Sequence, residues 1–567
     1  MDVGGGRRRV KQTTLSDAVA ANLRPGDTVL LTVGHSRWTA AARELVRQTW
    51  GSDPHFTLVM LSLSSLGALF FRGGLVDKVV TAYSGDSFPT YTPNPIFQQA
   101  YKSGEVEVEH WSILTYLQRL EAAARGLPAT VTGSLRESSM EANDDFAVVA
   151  TPFGPVGLVA PLVPDVALLH GVAADREGNV AVNPPLLEGV WGALAARRGA
   201  VVTVERVVDD LSPWSDLVRI PAHRVLAVAE TPMGAHPGGL FARGTAVEGY
   251  GEDVDFWVMA RDACRGDFDA FARHWYLEPA DQDDYLKRLG TDRIDWLRGR
   301  VDPESWREDA ERWPVDEEAP ISRWETAAVW GARELQARIA AVGADAVLAG
   351  AGVANLAAWV GVAAARAAGS RVVLTAELGM WGYTPTPADP YIFNHRSFPA
   401  ASMLTDASHV LGLWIGGTGT KAIGCLGAAQ VDRGGNLNST SLLPAGGPFL
   451  VGSGGANDVA SRATECLVIT RSGPARLPEQ AAYVTSPGHR VQTVVTDLGI
   501  LRKRDGELCL SAVAAGESPL EERVRATVAG CGWDVTVDRD VEELPPPTMP
   551  EVLALRRYDP RGWFLKD

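Results

Sequence analysis

A glutamate ends a short apolar segment in the second half of the chain. The segment RVVLTAELG covers residues 371–379, and its β-branched residues predict a strand that reaches Glu377. Another strand–helix pattern, AVLAGAGVANLAAW (346–359), carries Gly350 and Gly352 between its two elements. Open α/β sheets bind ligands at the carboxyl ends of their strands. Glu377 is therefore a candidate reactive carboxylate, and the two glycines are candidate N–H donors to an oxyanion.

Two other interpretations of these residues stay open. A Gly-x-Gly followed by an acid 25 residues later is also typical of dinucleotide-binding folds. That fingerprint needs a third glycine for close helix packing, and Asn355 stands at its position. The remaining interpretation is an acid that only caps a helix or ends a strand in water.

The elements that would position Glu377 occur twice along the chain. A helix–strand–glycine unit at 13–48 is repeated at 321–369, and each copy opens with a helix N-cap pattern, Thr14 with Asp17 and Ser322 with Glu325. Each copy is followed by a turn sequence, DREGN (175–179) or DRGGN (432–436), and then by another apolar strand, at 199–208 or 466–472. Alternating strands and helices predict parallel α/β architecture. The chain is thus predicted to be two homologous α/β domains in tandem.

The two halves differ in length, and an acidic segment joins them. The first half carries about 61 more residues than the second, and we place the extra segment around 105–129. Residues 300–322 are acidic, contain prolines and lack apolar periodicity, which predicts the joint there.

Composition excludes several classes of function. The 567 residues carry a formal net charge of −16, which argues against a nucleic-acid partner. The longest apolar run, 56–71, has 16 residues interrupted by serines, so no membrane association is expected. Five scattered cysteines and a basic N-terminus with no apolar segment after it predict a cytoplasmic protein. The histidine spacing predicts no metal site.

Several longer motifs resemble a known family. GCLGAAQVDRGGNLNST (424–440) and FLVGSGGANDVAS (449–461) resemble the β subunit of family I CoA-transferases, particularly the glutaconate CoA-transferase group. The first half resembles the α subunit through GGLVDKVVTAYSGDS (73–87) and EVEVEHWSILTYLQRL (105–120). The similarity covers nearly the whole chain. It departs from the family at Ala354, where the glycine loop normally has proline, and at the bulky Trp381 and Tyr383 after Glu377.

This resemblance implies a fold and an activity. It implies two homologous open α/β domains with the CoA-transferase-like fold, an α-like domain at 1–310 and a β-like domain at 320–567 that carries Glu377. The implied enzyme moves CoA between an acyl-CoA and a carboxylic acid through acyl-anhydride and glutamyl-CoA intermediates on Glu377. Coenzyme A is then a substrate, no cofactor is bound permanently, and a homodimer is expected. The alternative is a hydrolase of acyl-CoA or of a C–C bond in ring opening, with water as acceptor.

The resemblance also assigns roles around Glu377. It places Gly452, Gly454, Gly455 and Ala456 near the thioester of CoA, and Gly350 and Gly352 at the glutamyl oxygen. Trp381 and Tyr383 either shape an acyl pocket or only fill the core. Glu109 alternates with Glu105 and Glu107 at strand spacing, which favours a solvated face, but it remains a secondary candidate for the site.

Overall fold

The structure is a computed structural model that describes residues 11–32 and 40–567. In the first half, the strands are β1 Thr28–Leu31, β2 Phe56–Met60, β3 Val76–Thr81, β4 Glu107–His110, β5 Thr130–Thr132, β6 Phe146–Thr151, β7 Gly154–Val159, β8 Val166–Asp175, β9 Val180–Ala181, β10 Gly199–Val208, β11 Val218–Ile220 and β12 Val225–Glu230. In the second half, they are β13 Ala346–Ala349, β14 Val373–Ala376, β15 Met380–Trp381, β16 Met403–Leu404, β17 Ala422–Gly427, β18 Gln430–Val431, β19 Leu437–Asn438, β20 Glu465–Ile469, β21 Val491–Val495, β22 Gly499–Arg504, β23 Glu507–Ala514 and β24 Val537–Leu544.

The α-helices cover the sheet faces and the joint between the halves. They are α1 Leu15–Asn22, α2 Ala40–Thr49, α3 Ala68–Arg72, α4 Pro95–Ser103, α5 Ile113–Ala124, α6 Glu188–Ala195, α7 Val254–Arg265, α8 Phe268–Ala272, α9 Gln282–Leu289, α10 Thr291–Gly299, α11 Trp306–Arg312, α12 Arg323–Val342, α13 Val353–Ala367, α14 Ala456–Arg462, α15 Leu520–Val528 and α16 Met549–Arg556. Among the described residues, none of these helices is long and apolar enough to cross a bilayer.

Both halves use the same order of parallel strands. The first sheet has a parallel core in the order β12–β10–β8–β1–β2, extended by β3 and β4. The second has the order β21–β20–β17–β13–β14. Numbering each set of five strands along the chain gives the same arrangement, 5–4–3–1–2. The predicted α/β class and tandem duplication are therefore confirmed at the level of topology.

The repeated five-residue motif forms the same turn in each half. Asp175 Oδ1 accepts the backbone N–H groups of Gly178 and Asn179 at 2.8 Å each. Asp432 Oδ1 accepts the N–H of Asn436 at 2.9 Å. In both turns the asparagine amide also donates to the other oxygen of the aspartate, at 2.6 and 3.0 Å. The aspartate and asparagine thus close a tight antiparallel connection between consecutive strands, β8 to β9 and β18 to β19.

The predicted elements occur with small shifts, and the extra segment is longer than predicted. The N-caps form, with Thr14 accepting from the Asp17 N–H and Ser322 forming a reciprocal capping box with Glu325. β10 covers the predicted 199–208. The extra residues of the first half continue past 129, because β5, β6 and β7 form a separate antiparallel sheet that the second half does not repeat.

Candidate active site

A cavity of about 510 Å³ lies where the two halves meet. The second half lines it with the carboxyl ends of β13, β14, β17 and β20 and with the loop 450–456. The first half contributes Leu61 and Ser62 after β2, Tyr83 after β3, and Ile113 at the start of α5. The strand ends of two sheets thus enclose one space, as expected for ligand sites of α/β folds.

The loop 450–456 is fixed by hydrogen bonds to the first half. The N–H of Ser84 donates to the carbonyl of Val451 at 2.6 Å, and the N–H of Gly454 donates to Ala82 at 2.9 Å. The Gly454 carbonyl in turn accepts from the N–H of Ile113 at 3.0 Å. A site that includes this loop therefore needs both halves in place.

Glu377 directly follows β14 and lines the cavity. The residue is half-buried. Loss of hydration and, to a smaller extent, the Asp458 carboxylate raise the pKa of this carboxyl to about 7, although the Gly455 N–H donates to it and lowers the pKa. The resulting group is a carboxylate that is poorly hydrated near neutral pH.

The contact between Gly455 and Glu377 requires glycine. A Cβ at position 455 would lie 2.2 Å from Glu377 Oε2, far inside van der Waals contact. The Gly455 φ of −89° is available to any residue, so the requirement is space and not backbone conformation. The absent side chain lets the Gly455 N–H reach the carboxylate.

Asp458, in the second half, is hydrogen-bonded to residues of the first half. Its Oδ1 accepts from the Ser112 hydroxyl at 2.6 Å and its Oδ2 accepts from the N–H of Leu114 at 3.0 Å. Burial raises the pKa of this carboxyl to about 6, although these hydrogen bonds favour its charged form. Asp458 therefore holds α5 against the site and acts electrostatically on Glu377.

The six residues predicted near the glutamyl oxygen and the thioester differ in what their N–H groups do. All six predicted residues line the cavity. Four donors are engaged within the protein: the N–H groups of Gly350, Gly452, Gly454 and Ala456 donate to the carbonyls of Cys425, Ser439, Ala82 and Ser453 at 2.7, 3.1, 2.9 and 3.0 Å. The predicted role of Gly350 as an oxyanion donor is therefore corrected, because its N–H already donates to the Cys425 carbonyl on β17.

Gly352 is the remaining donor of the Gly-x-Gly pair. It is the N-cap of α13, with φ +91°, which favours glycine. Its N–H has no acceptor within the described part of the chain. The first N–H groups of a helix lack intrahelical partners and carry partial positive charge. Gly352 and the start of α13 are thus the candidate oxyanion donors.

Two aromatic candidates lie away from the cavity. Tyr383 is fully buried and its hydroxyl accepts from the indole N–H of Trp359 at 2.8 Å, which corresponds to the core-filling alternative. Trp381 packs against Trp414, with ring centroids 5.1 Å apart. Neither aromatic side chain lines the cavity.

Glu109 belongs to a structural ion network. It forms ion pairs with Lys78 at 2.9 Å and Arg119 at 2.8 Å, and accepts from the Trp111 indole at 2.6 Å. Burial alone would raise its pKa, but these partners outweigh burial and lower the pKa. The structure does not bring Glu109 to the cavity lining.

Sequence comparisons identify the family. A family model described as coenzyme A transferase matches residues 12–231. One of the two subunits of 3-oxoadipate CoA-transferase from Pseudomonas knackmussii is 31% identical over 270 residues, 46% of this chain and 89% of that relative. The other subunit of the same enzyme is 30% identical over 207 residues, 34% of this chain and 78% of that relative. The chain belongs to the coenzyme A transferase family.

Other CoA-transferases agree with this assignment. One of the subunits of glutaconate CoA-transferase from Acidaminococcus fermentans is 27% identical, covering 50% of this chain and 93% of that relative. The crystal structure of an acyl-CoA transferase from Escherichia coli O157:H7 aligns with a TM-score of 0.64 over 95% of this chain and 96% of that one, at 14% identity, and so supports the fold. The protein is a CoA-transferase enzyme whose single chain is similar to both subunits of two-subunit relatives.

Proposed function

We propose that this CoA-transferase moves CoA from an acyl-CoA donor to a carboxylic acid, with Glu377 as the covalent nucleophile. One observation carries the proposal. The poorly hydrated Glu377 carboxylate lines a cavity between the halves and contacts Gly455, where any side chain would collide with it. A carboxylate suits this exchange because it can attack a thioester and can also be displaced from the anhydride that forms.

Each step of the proposed exchange balances without a redox partner. Ionised Glu377 attacks the thioester carbonyl, the C–S bond breaks, and CoA departs as thiolate, which leaves an acyl–glutamyl anhydride on the enzyme. The thiolate then attacks the glutamyl carbonyl, which releases the first acid and leaves a glutamyl-CoA thioester. The acceptor carboxylate attacks this thioester and expels CoA thiolate, which leaves a second anhydride between the acceptor and Glu377. The thiolate then attacks the acceptor's carbonyl, which forms the new acyl-CoA and releases the Glu377 carboxylate.

The surroundings of Glu377 match the charge changes of these steps. Each addition puts negative charge on a carbonyl oxygen, which the Gly352 N–H and the start of α13 would stabilise. A carboxylate deprived of water is a stronger nucleophile than one at its ordinary pKa. Binding of the unreactive parts of CoA would offset the cost of the anhydride.

Trapping the glutamyl thioester tests this proposal. Incubation with an acyl-CoA alone, followed by borohydride or hydroxylamine and proteolysis, should place the modification on the peptide containing Glu377. Transfer activity without any label on that peptide would contradict the proposal. Release of free CoA at the rate of turnover, with no acceptor acid, would instead favour the hydrolase alternative.

The rate should depend on pH through Glu377. Because the nucleophile must be ionised and its pKa is about 7, kcat/KM should fall about tenfold per pH unit below neutrality. Asp458→Asn removes the negative charge that adds to the effect of burial on this pKa, so the acidic limb of the profile should move part of the way to lower pH. A profile that is flat from about pH 5 to 8, or unmoved by Asp458→Asn, would contradict the assignment.

We further propose that CoA enters only as a substrate, that no permanently bound cofactor is needed, and that the enzyme works in the cytoplasm.

We also propose a homodimer. The small sheet offers an apolar surface for it, since Phe153 is 98% exposed at the β6–β7 turn and Val131 is 57% exposed. Sedimentation at micromolar concentration should give twice the 60.6 kDa chain mass, and Phe153→Asp should shift it toward monomer. A wild-type monomer under these conditions would contradict the prediction.

A further inference from the structure

The cavity extends well beyond Glu377 along the edge of the second sheet. From Glu377 after β14 it passes the ends of β13 and β17 and reaches Ile469 at the end of β20, with Arg476 beyond it. Adjacent strands lie about 4.8 Å apart, so these three steps span about 14 Å. The far end of the cavity therefore lies at a distance from the reacting carboxylate that a long substrate could bridge.

Basic side chains gather at this far end. Arg323 pairs with Asp497 at 2.5 Å and Arg471 pairs with Asp567 at 3.2 Å. Arg476 and Lys566 both line the cavity, and neither has a carboxylate partner in the described ranges 11–32 and 40–567. The far end thus carries two cations that form no direct ion pair with a described residue, in a chain whose net charge is −16.

Arg476 is held in place without being neutralised. Its guanidinium lies 5.7 Å from the ring of Trp324, and that of Arg471 lies 5.0 Å from the same ring. Partial burial lowers the pKa of Arg476, and repulsion from Arg471 and Arg323 lowers it further. Trp324, Trp563 and Phe564 supply aromatic surface along the same part of the cavity. A half-buried cation with flat apolar neighbours fits an anionic ligand that also carries a ring.

We propose that Arg476 and Lys566 bind the phosphate groups of the CoA nucleotide, with the tryptophans beside its base. The inference rests on the proposed function, because it needs the thioester at Glu377. The arm of CoA from sulfur to phosphate has about as many main-chain bonds as four extended residues, or about 14 Å, which matches the span of the cavity. Guanidinium and ammonium groups are the usual protein partners of phosphate.

A binding site for the far carboxylate of an acyl group is the competing assignment for these cations. It fits less well, because the acyl carbonyl must sit at Glu377 and a short diacid cannot reach across three strands. A carboxylate also supplies one charge where the nucleotide of CoA supplies several. The two assignments differ in which substrate each variant would affect.

Comparing two thioester substrates tests the phosphate site. Arg476→Gln should lower kcat/KM for acyl-CoA about tenfold or more, because a charge-assisted hydrogen bond is lost. It should leave kcat/KM for the matching acyl-pantetheine, which lacks the nucleotide, within about twofold of wild type. Lys566→Gln should act in the same direction with a smaller effect, since Lys566 is exposed and more screened by salt. Arg476→Lys should restore part of the loss.

Arg433→Gln is the matched control. Arg433 pairs with Glu507 at 2.8 Å and is not part of the cavity lining, so its replacement should leave both substrates unaffected. Equal losses with acyl-CoA and acyl-pantetheine, an unchanged kcat/KM for acyl-CoA, or a rise only in the KM for the acceptor acid would each overturn the inference. Failure of the proposed function is seen separately, as activity that survives loss of Glu377.

Discussion

Replacement of Glu377 by glutamine should lower kcat for CoA transfer by about 10⁴-fold or more. Glutamine keeps the length and shape of the side chain and can still accept the hydrogen bond from the Gly455 N–H. It cannot attack a thioester as a carboxylate does, so neither the anhydride nor the glutamyl-CoA can form. Initial rates with acyl-CoA and acceptor acid, together with intact-protein mass spectrometry, check this directly.

The same substitution should stabilise the folded protein above neutral pH. The carboxyl is neutral in both folded and unfolded states below its ordinary pKa of 4.5, so Glu377 has no effect on stability there. As pH rises from 4.5 to about 7, the unfolded state releases this proton and the folded state retains it, so stability is lost. Above that pH the full penalty remains, on the order of 3 kcal/mol.

Melting temperatures at two pH values measure this effect. Glu377→Gln should melt higher than wild type at about pH 8 and at the same temperature near pH 4.5. Glu479→Gln, at an exposed position, serves as the control and should change neither value. A variant that keeps wild-type transfer rates, or one that melts lower at the higher pH, would show that Glu377 is not a strained catalytic carboxylate.

Much of the fold was predictable because it depends on local patterns. The apolar segments at 199–208 and 371–379 have strand composition along their own length, and the caps at Thr14 and Ser322 need only neighbours in sequence. The duplication followed from the order of such segments. The position of Glu377 at a strand end was predictable for the same reason.

The details of the site depend on contacts between distant residues, which local patterns do not contain. The Gly350 N–H is taken by Cys425 on a neighbouring strand, 75 residues later. Tyr383 turns into the core because Trp359 offers it a donor. Asp458 was present in the GSGGAND motif, but its effect on Glu377 arises from burial against α5. Arg476 became a candidate only because the structure places it, in the loop after β20, at the end of the cavity.

Gly455→Ala should lower kcat by about 10²- to 10³-fold while the protein remains folded. The new Cβ would lie 2.2 Å from Glu377 Oε2, so the carboxylate must move by more than an ångström. A displacement of that size at a reacting atom typically costs about 100-fold in rate. The Gly455 N–H would also lose its contact with the carboxylate. The KM for acyl-CoA should change little, because most of the bound CoA lies farther along the cavity.

Two comparisons separate this effect from general damage. Gly419→Ala is the matched control, since a Cβ there meets no atom within 4 Å, and it should keep wild-type rate and melting temperature. In the background of Glu377→Gln, Gly455→Ala should cost almost nothing more, because its effect acts through a nucleophile that is already absent. Additive losses in the double variant would mean that Gly455 supports catalysis independently of Glu377, and the steric account of the glycine would then be wrong.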